Sequence, residues 1–362
     1  MGYAALLTSS WPALLVVAVL AAILGFSAHR ASICTVRAVA ELLHSRRGFM
    51  MMSIVKSMLW ISAVTVPFYL LSRSSPPQAG AWQLSVMTTL GGFMFGFGAA
   101  MNGACVYSTM ARLADGEIAM AVTVIGFGLG IAGFEALLDA AWISRPSPSW
   151  PRLSALIGIF PAVILIAFII HETVRLWRTR PPEASPRELV LAPQYRLSAA
   201  AMLIGLAGGL VYIIQGPGGY ASFLQQGIEA MLGRRDPPET ARFVLVAAVM
   251  AGMLISTLQR KSFHLDWKPR PSWVMNLFGG VLMGLGVALA HGGNDSLVLY
   301  AIPTLSPHAL PAYVALVVGV AAGLLTIRLL LGIETRAECR NDYYYQNGPS
   351  QREPTSHSRM AV

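Results

Sequence analysis

Two apolar stretches, residues 91–109 and 279–297, carry glycines at the same relative positions. The first reads GGFMFGFGAAMNGACVYST and the second reads GGVLMGLGVALAHGGNDSL. Glycines at this spacing let neighbouring apolar helices approach closely, and the polar residues that follow end each helix. A helix that ends inside a bilayer needs protein or a water-lined cavity to satisfy its backbone. Two such breaks in corresponding halves indicate a transport path, and helix packing with a glycine hinge is the alternative.

The composition indicates a membrane protein. Of the 362 residues, 55% are hydrophobic and only 12% are charged, whereas soluble proteins carry about 25% charged residues. Several apolar runs exceed the roughly 18 residues that cross a bilayer. The sequence therefore predicts an all-α, polytopic protein embedded in a lipid bilayer. Basic residues in cytoplasmic loops explain the net charge of +9, so no nucleic-acid partner is predicted.

The apolar runs predict about nine transmembrane helices and short re-entrant helices. A re-entrant or interfacial helix is expected at 29–45, where the sequence is too short and too charged for an ordinary span. The first span lacks a convincing cleavage site, and we interpret it as retained. The predicted spans are residues 11–28, 49–71, 84–101, 118–140, 153–170, 197–214, 243–258, 273–290 and 309–331.

These spans divide the chain into two repeats with a connecting span. Residues 1–145 form the first repeat, 146–196 a linker span with a cytoplasmic loop, 197–332 the second repeat, and 333–362 a flexible polar tail. A single span between two four-span halves gives the repeats opposite orientations, as in many transporters. The excess of basic residues on one side of this arrangement places the N-terminus outside.

Two cysteines are candidates for chemistry in the first half. Cys105 follows the glycines of the first stretch, and Cys34 lies between Arg30 and Arg37. A thiol here is a weak donor or, as a thiolate, a nucleophile, but most buried cysteines are inert packing residues. The two arginines contact either an anion in an inner vestibule or lipid headgroups. The residues alone leave both alternatives open.

The second stretch ends in His291, Gly293, Asn294 and Asp295. An ionisable residue at membrane depth is a functional candidate by default. Asp295 is equally suited to cap a helix over residues 296–302. If Asp295 lines an anion path, it needs protonation or a partner such as His291, and proton coupling is then a hypothesis.

The remaining polar residues carry weaker predictions. Asn102 and Gln215 are candidates to line the path with amide donors, and Gly103 belongs to the first polar tip. Asp115 is expected to be an ordinary residue at the end of a span, and Cys339 to be incidental. The cysteines show no metal-ligand spacing, and no metal or cofactor is predicted.

The residues around both tips resemble a known family. SICTVRA around Cys34, GFMFGFGAAMNGACVYSTMARLADG around Cys105 and GGVLMGLGVALA before His291 are similar to the motifs of the YeeE/YedE sulfur-transport family. The resemblance covers residues 10–332. It implies a thiosulfate importer of the bacterial inner membrane with an inverted repeat and an hourglass shape. It also implies that Cys34 and Cys105 hold thiosulfate through S–H···S hydrogen bonds along a central path.

One departure from the family leaves the substrate open. The second tip of family members commonly reads Gly-Cys-Asn, whereas this chain has glycine at position 293 in place of a relay cysteine. We expect a non-enzymatic transporter or facilitator that imports a small inorganic sulfur anion. The alternatives are an intramembrane relay that hands persulfide to a soluble cytoplasmic sulfurtransferase, and a structural subunit without transport.

Overall fold

The computed structural model describes residues 11–72, 82, 84–140, 159–179, 186–333 and 335–345. Helices make up almost all of this part of the chain. In the first half they are α1 (Trp11–Ala31), α2 (Thr35–Ser45), α3 (Phe49–Ser72), α4 (Val86–Asn102), α5 (Val106–Ala114), α6 (Ala119–Asp139) and α7 (Ile159–Arg178). The later helices are α8 (Pro186–Leu191), α9 (Leu197–Gln215), α10 (Tyr220–Met231), α11 (Thr240–Arg260), α12 (Ser272–Ala290), α13 (Asn294–Ser296) and α14 (Ala309–Leu331). Helix α13 continues into one π-helical turn, Leu297–Ala301.

Eight segments of the described chain are long and apolar enough to cross a membrane. This confirms the predicted all-α, polytopic membrane protein. Three of the segments are broken helices, since Trp11–Ser45 joins α1 to α2, Val86–Ala114 joins α4 to α5, and Leu197–Met231 joins α9 to α10. The predicted span at 153–170 begins outside the described residues and ends within α7. The count of nine spans therefore stays a prediction.

The helices of the two halves pack in a repeated pattern. Helix α12 packs against α4 and α6, and α14 packs against α4. In the same way α11 packs against α1, while α9 packs against α1 and α3. Each of these helices has a counterpart in the other half: α1 corresponds to α9, α3 to α11, α4 to α12 and α6 to α14. Exchanging every helix with its counterpart leaves the set of pairings unchanged. Such an exchange is expected of two repeats, while their inverted orientation stays a prediction.

The glycines of the two stretches lie where α4 crosses α12. A Cβ atom added to Gly98 would lie 2.6 Å from the carbonyl oxygen of Gly279, and one added to Gly279 would lie 2.7 Å from the carbonyl oxygen of Gly98. The same reciprocal contact relates Gly91 and Gly286. Only glycine lets these two backbones approach so closely. The repeated spacing thus packs the helices, and it does so immediately before both polar tips.

The polar tail differs from the expectation of a flexible segment. Strands β1 (Glu338–Arg340) and β2 (Tyr343–Tyr345) form an antiparallel hairpin that packs against α2 and α3. Cys339 is buried and paired with Tyr344 in this hairpin. Burial, together with Glu41 close by, raises the pKa of the Cys339 thiol to about 12. Residues 338–345 therefore form a packed hairpin whose alternate residues bury against the helices, and Cys339 belongs to that contact. The rest of the predicted tail, residues 346–362, lies outside the described residues.

Asp342, at the hairpin turn, fixes the tail to the start of the second half. Its carbonyl oxygen accepts a 2.7 Å hydrogen bond from the backbone N–H of Leu197. Its carboxylate accepts a 2.9 Å hydrogen bond from the Ser198 hydroxyl and lies 3.5 Å from the Arg196 guanidinium. The N-terminus of α9 leaves backbone N–H groups without helical partners. Asp342 supplies acceptors for them from the other end of the chain.

Candidate functional site

Two buried thiols meet in the interior of the helical assembly. The Sγ atoms of Cys34 and Cys105 lie 3.6 Å apart, and both residues are buried. Each is the residue immediately before a helix, Cys34 before α2 and Cys105 before α5. The backbone N–H groups of Thr35 and Ser108 face the Cys105 sulfur. Because helix N-termini carry partial positive charge, the thiol pair lies where a negative charge is favoured.

The turn that carries Cys105 is held by Gly103 and Asn102. Gly103 ends α4 with a φ of +69°, a left-handed conformation that favours glycine. The Asn102 amide donates 3.0 Å hydrogen bonds to the Ala104 carbonyl oxygen and the Thr109 hydroxyl. Its oxygen accepts a 2.6 Å hydrogen bond from Thr123. Asn102 was expected to offer its amide to the path, but both ends of that amide instead stabilise the tip.

The second tip contacts the thiol pair through its asparagine. Gly293 precedes α13 as Cys105 precedes α5, with extended backbone at both positions. The Oδ1 atom of Asn294 accepts a 2.8 Å hydrogen bond from the hydroxyl of Thr35, the residue next to Cys34. The structure therefore brings Cys34, Cys105 and Asn294 together from segments that are distant in the sequence.

Asp295 fills the space that a third thiol would need. Its Oδ2 atom accepts a 3.0 Å hydrogen bond from the backbone N–H of Ala221, at the N-terminus of α10. The sequence suggested that Asp295 caps a helix over residues 296–302. In the structure Asp295 instead caps helix α10. A Cβ atom added to Gly293 would lie 2.7 Å from the Ala221 Cβ and 3.0 Å from Asp295 Oδ1. The second tip therefore has no room for a side chain at position 293.

Two cavities, each of about 50 Å³, lie near the thiol pair, and Cys34 lines the first of them. Three residues line both cavities, namely Tyr107, Ala28 and Ile33. We call the first the thiol cavity; its polar lining residues are Cys34, Thr35, Ser57, Asn294 and Asp295. We call the second the arginine cavity; its charged and ionisable lining residues include Arg37, Arg112, Arg260, His29 and Asp115.

Several of the predicted residues line neither cavity, among them His291, Gln215 and Arg30. His291 ends α12 with a φ of +56°, and its ring centroid lies 3.9 Å from that of Trp82. The amide of Gln215 is buried without a hydrogen-bond partner among the described residues. Arg30 is buried and donates to Ser256 and to Gln259 at 3.1 and 2.7 Å. Arg30 therefore links helices, whereas Arg37 lines the arginine cavity.

Asp115 was expected to be an ordinary residue at a span end, but in the structure it connects several segments of the chain. Its Oδ1 atom accepts 2.9 Å hydrogen bonds from Thr257 and Ser262, and it lies 3.2 Å from Nε2 of His29. These contacts join α1, the turn after α5 and the end of α11. Burial raises the pKa of Asp115, but the hydrogen bonds and the nearby His29 outweigh burial and lower that pKa below its ordinary value.

Sequence reasoning also missed Tyr107 and Ser108, which occupy the first turn of α5 directly after Cys105. Ser108 lies beside Cys34 and also lines the arginine cavity. Their position in the sequence could have indicated that they belong to the site, because side chains two and three residues after a helix cap stay close to the capping residue. Arg112 and Arg260 line the arginine cavity as well, and neither was a candidate from the sequence.

A comparison with known families matches most of this chain. A family model described as Sulphur transport matches residues 30–322, a region that contains both thiols and the second tip. A search of curated proteins found no match. The matched region covers nearly the whole chain, and the eight apolar helices with breaks at the thiol site fit membrane transport. The chain therefore belongs to the sulphur transport family.

Proposed function

We propose that this protein imports a small sulfur-containing anion of the thiosulfate type across a bacterial inner membrane, along a path lined by Cys34 and Cys105. The observation that carries this proposal is the buried pair of thiols, 3.6 Å apart, at the N-termini of two helices. A buried anion needs compensating hydrogen-bond donors. The two S–H groups and the N-terminal N–H groups of α2 and α5 supply them.

The terminal sulfur of thiosulfate suits thiol donors. It is large and polarisable, as the cysteine sulfur is, and two adjacent S–H groups can donate weak hydrogen bonds to it. The sulfonate oxygens are harder acceptors, and the backbone N–H groups at the N-termini of α2 and α5 serve them better. A path that combines both kinds of donor distinguishes thiosulfate from anions that carry only oxygen.

The two cavities support an order for the proposed path. We place the path between the two repeats, residues 1–145 and 197–332, with the thiol cavity before the arginine cavity for an anion that moves inward. Because Tyr107 lines both cavities, we propose that its ring moves before the anion passes from one to the other. The thiol pair then selects the anion while Tyr107 separates the two sides.

The same thiol pair also favours a second candidate, a sulfur relay. A Cys105 thiolate that attacks the terminal sulfur of thiosulfate forms an S–S bond, and the S–S bond of thiosulfate breaks to release sulfite. The product is a cysteine persulfide, which a cytoplasmic sulfurtransferase would accept. Intact-mass analysis of protein incubated with thiosulfate separates the candidates, since only the relay adds one sulfur atom to Cys105.

The decisive experiment measures thiosulfate uptake by a cell that lacks its other sulfur importers. We expect Cys34→Ala and Cys105→Ala to reduce uptake by about tenfold or more, because each removes one of the two adjacent S–H donors. Cys339→Ala is the matched control, because this thiol lies in the tail hairpin. Full uptake by the Cys105→Ala protein would overturn the proposal. No uptake by a well-expressed wild-type protein would exclude thiosulfate and direct the search to other small anions.

A further inference from the structure

The described residues that line the arginine cavity carry more positive than negative charge. Among the described residues that line it, Asp115 is the only carboxylate. That carboxylate is already engaged by His29, Thr257 and Ser262. Arg112 is neutralised separately, because its Nε donates a 2.8 Å hydrogen bond to Glu117. Arg37 and Arg260 are the two arginines of this lining that make no direct contact with a carboxylate among the described residues.

Arg37 and Arg260 contact no carboxylate. Arg37 donates a 3.3 Å hydrogen bond to the Ser32 carbonyl oxygen, and its guanidinium lies 4.9 Å from the ring centroid of Tyr344. Among the described residues, Arg260 makes no hydrogen bond or ion pair within contact distance. Its charge interacts favourably with the nearby Asp115 and unfavourably with Arg37. Like charges held at one polar cavity are stabilised by an anion placed between them.

We propose that Arg37 and Arg260 form a second anion site, which binds a small tetrahedral oxyanion such as sulfate, sulfite or thiosulfate. The cavity of about 50 Å³ holds roughly three to five water molecules, which is the size of such an ion. Guanidinium groups donate paired hydrogen bonds to the oxygens of an oxyanion. The Ser108 hydroxyl supplies a further donor on the side of the cavity that faces Cys34.

This inference rests on the proposed function for the role of the site, which is to receive the anion after it leaves the thiols. The two sites differ in chemistry. The thiol pair recognises a terminal sulfur atom, whereas the arginine site recognises oxygen atoms and charge. Sulfate, which has no terminal sulfur, therefore probes the arginine site alone.

The test measures sulfate binding to the full-length purified protein in lipid nanodiscs by isothermal titration calorimetry, in a gluconate buffer. We expect Arg260→Gln and Arg37→Gln each to weaken sulfate binding by about tenfold or more. Arg260→Lys keeps the charge without the paired donors, so it should bind sulfate with intermediate affinity. Arg270→Gln is the control, because Arg270 is exposed and pairs with Asp266 at 2.9 Å on the surface.

A variant with both Cys34→Ala and Cys105→Ala separates this proposal from the proposed function. It should bind sulfate as the wild type does even though it imports no thiosulfate. Sulfate binding that survives Arg260→Gln and Arg37→Gln, or that is lost in the double cysteine variant, would overturn the second site. Failure of thiosulfate uptake by the wild type with sulfate binding intact would overturn only the proposed function. If Arg260→Gln does not fold, Arg260→Lys and Arg37→Gln carry the test.

Discussion

The backbone N–H of Ala221 donates a 3.0 Å hydrogen bond to Oδ2 of Asp295, so that the second polar tip caps helix α10. The corresponding position in the first half carries no carboxylate, and there two thiols lie at the helix N-termini. The halves therefore satisfy equivalent helix ends in different ways. In the first half thiols lie at these helix ends, whereas in the second half the carboxyl group of Asp295 accepts a hydrogen bond from one of them.

Asp295→Ala should destabilise the protein by about 1–2 kcal/mol, because it removes the cap of α10. Asp295→Asn should retain most of the stability, since the amide oxygen can still accept from Ala221. Unfolding temperature in detergent measures both effects. Thiosulfate uptake between pH 5 and pH 8 then tests proton coupling. A flat pH profile for Asp295→Asn beside a sloping wild-type profile supports coupling, and unchanged profiles confine Asp295 to its capping role.

Gly293→Cys should not create a working third thiol. Its Cβ atom would lie 2.7 Å from the Ala221 Cβ, and contacts below 3.0 Å force a neighbour to move. We expect a several-fold lower yield of monodisperse protein in size-exclusion chromatography. Adding Ala221→Gly removes the nearest obstructing atom, so the double variant should recover yield. A normal yield for Gly293→Cys alone would show that the tip has more room than this geometry allows.

Two glycines of α6 provide a matched pair for testing helix packing. A Cβ atom on Gly130 would run into the carbonyl oxygen of Val281 on α12, whereas one on Gly133 would meet nothing within 4 Å. Gly130→Ala should therefore reduce folded yield strongly. Gly133→Ala should raise stability by about 0.5–1 kcal/mol, since alanine is the better helix former. Equal unfolding temperatures for the two variants would contradict the observed contact of α6 with α12.

Asp115→Asn should destabilise the protein at neutral pH but have less effect in acid. The hydrogen bonds around Asp115 lower its pKa below the ordinary value of 3.8. A carboxylate with a lowered pKa stabilises the fold above its ordinary pKa, and that stabilisation is lost as the pH falls through the folded-state value. The difference in unfolding temperature between wild type and variant should thus be constant from pH 7 to about pH 5. It should shrink below about pH 4.

Asp139→Asn serves as the control for this experiment, because the Asp139 carboxylate is exposed and pairs with Arg234 at the surface. Its unfolding temperature should follow that of the wild type over the same pH range, since surface ion pairs contribute little. A wild-type advantage over Asp115→Asn that persists undiminished at pH 3 would contradict the role given to the Asp115 network.

The sequence predicts the membrane class and the main breaks of this fold because those features are local. Apolar runs, glycine spacing and polar tips can be read within about twenty residues, and Cys34 and Cys105 were found in this way. Contacts between distant segments have no such signal. Asp115 looks ordinary until its partners Thr257 and Ser262 arrive from another helix. The sequence indicated only Arg37 of the arginine cavity, since its arginines come from three separate helices.

Other expectations differ from the structure because the type of a residue was used to predict its role without knowledge of the residues around it. Asn102 was expected to offer its amide to the path, but Thr109 and Thr123 take up its hydrogen bonds. The tail was expected to be flexible because it lacks a long apolar period. A hairpin of three-residue strands needs only alternate burial, which Cys339 and Tyr344 provide. Short elements of this kind depend on a surface that the rest of the chain must build first.

The hairpin of residues 338–345 has a consequence for how the protein is made. It lies against α2 and α3 in the first half, and Asp342 satisfies the start of α9 in the second. These residues follow, in the order of synthesis, every membrane segment that the structure describes. Helices α2 and α9 therefore obtain these contacts only after those segments have been made, and a chain cut short before residue 338 would carry all of them yet lack the contacts that the hairpin supplies.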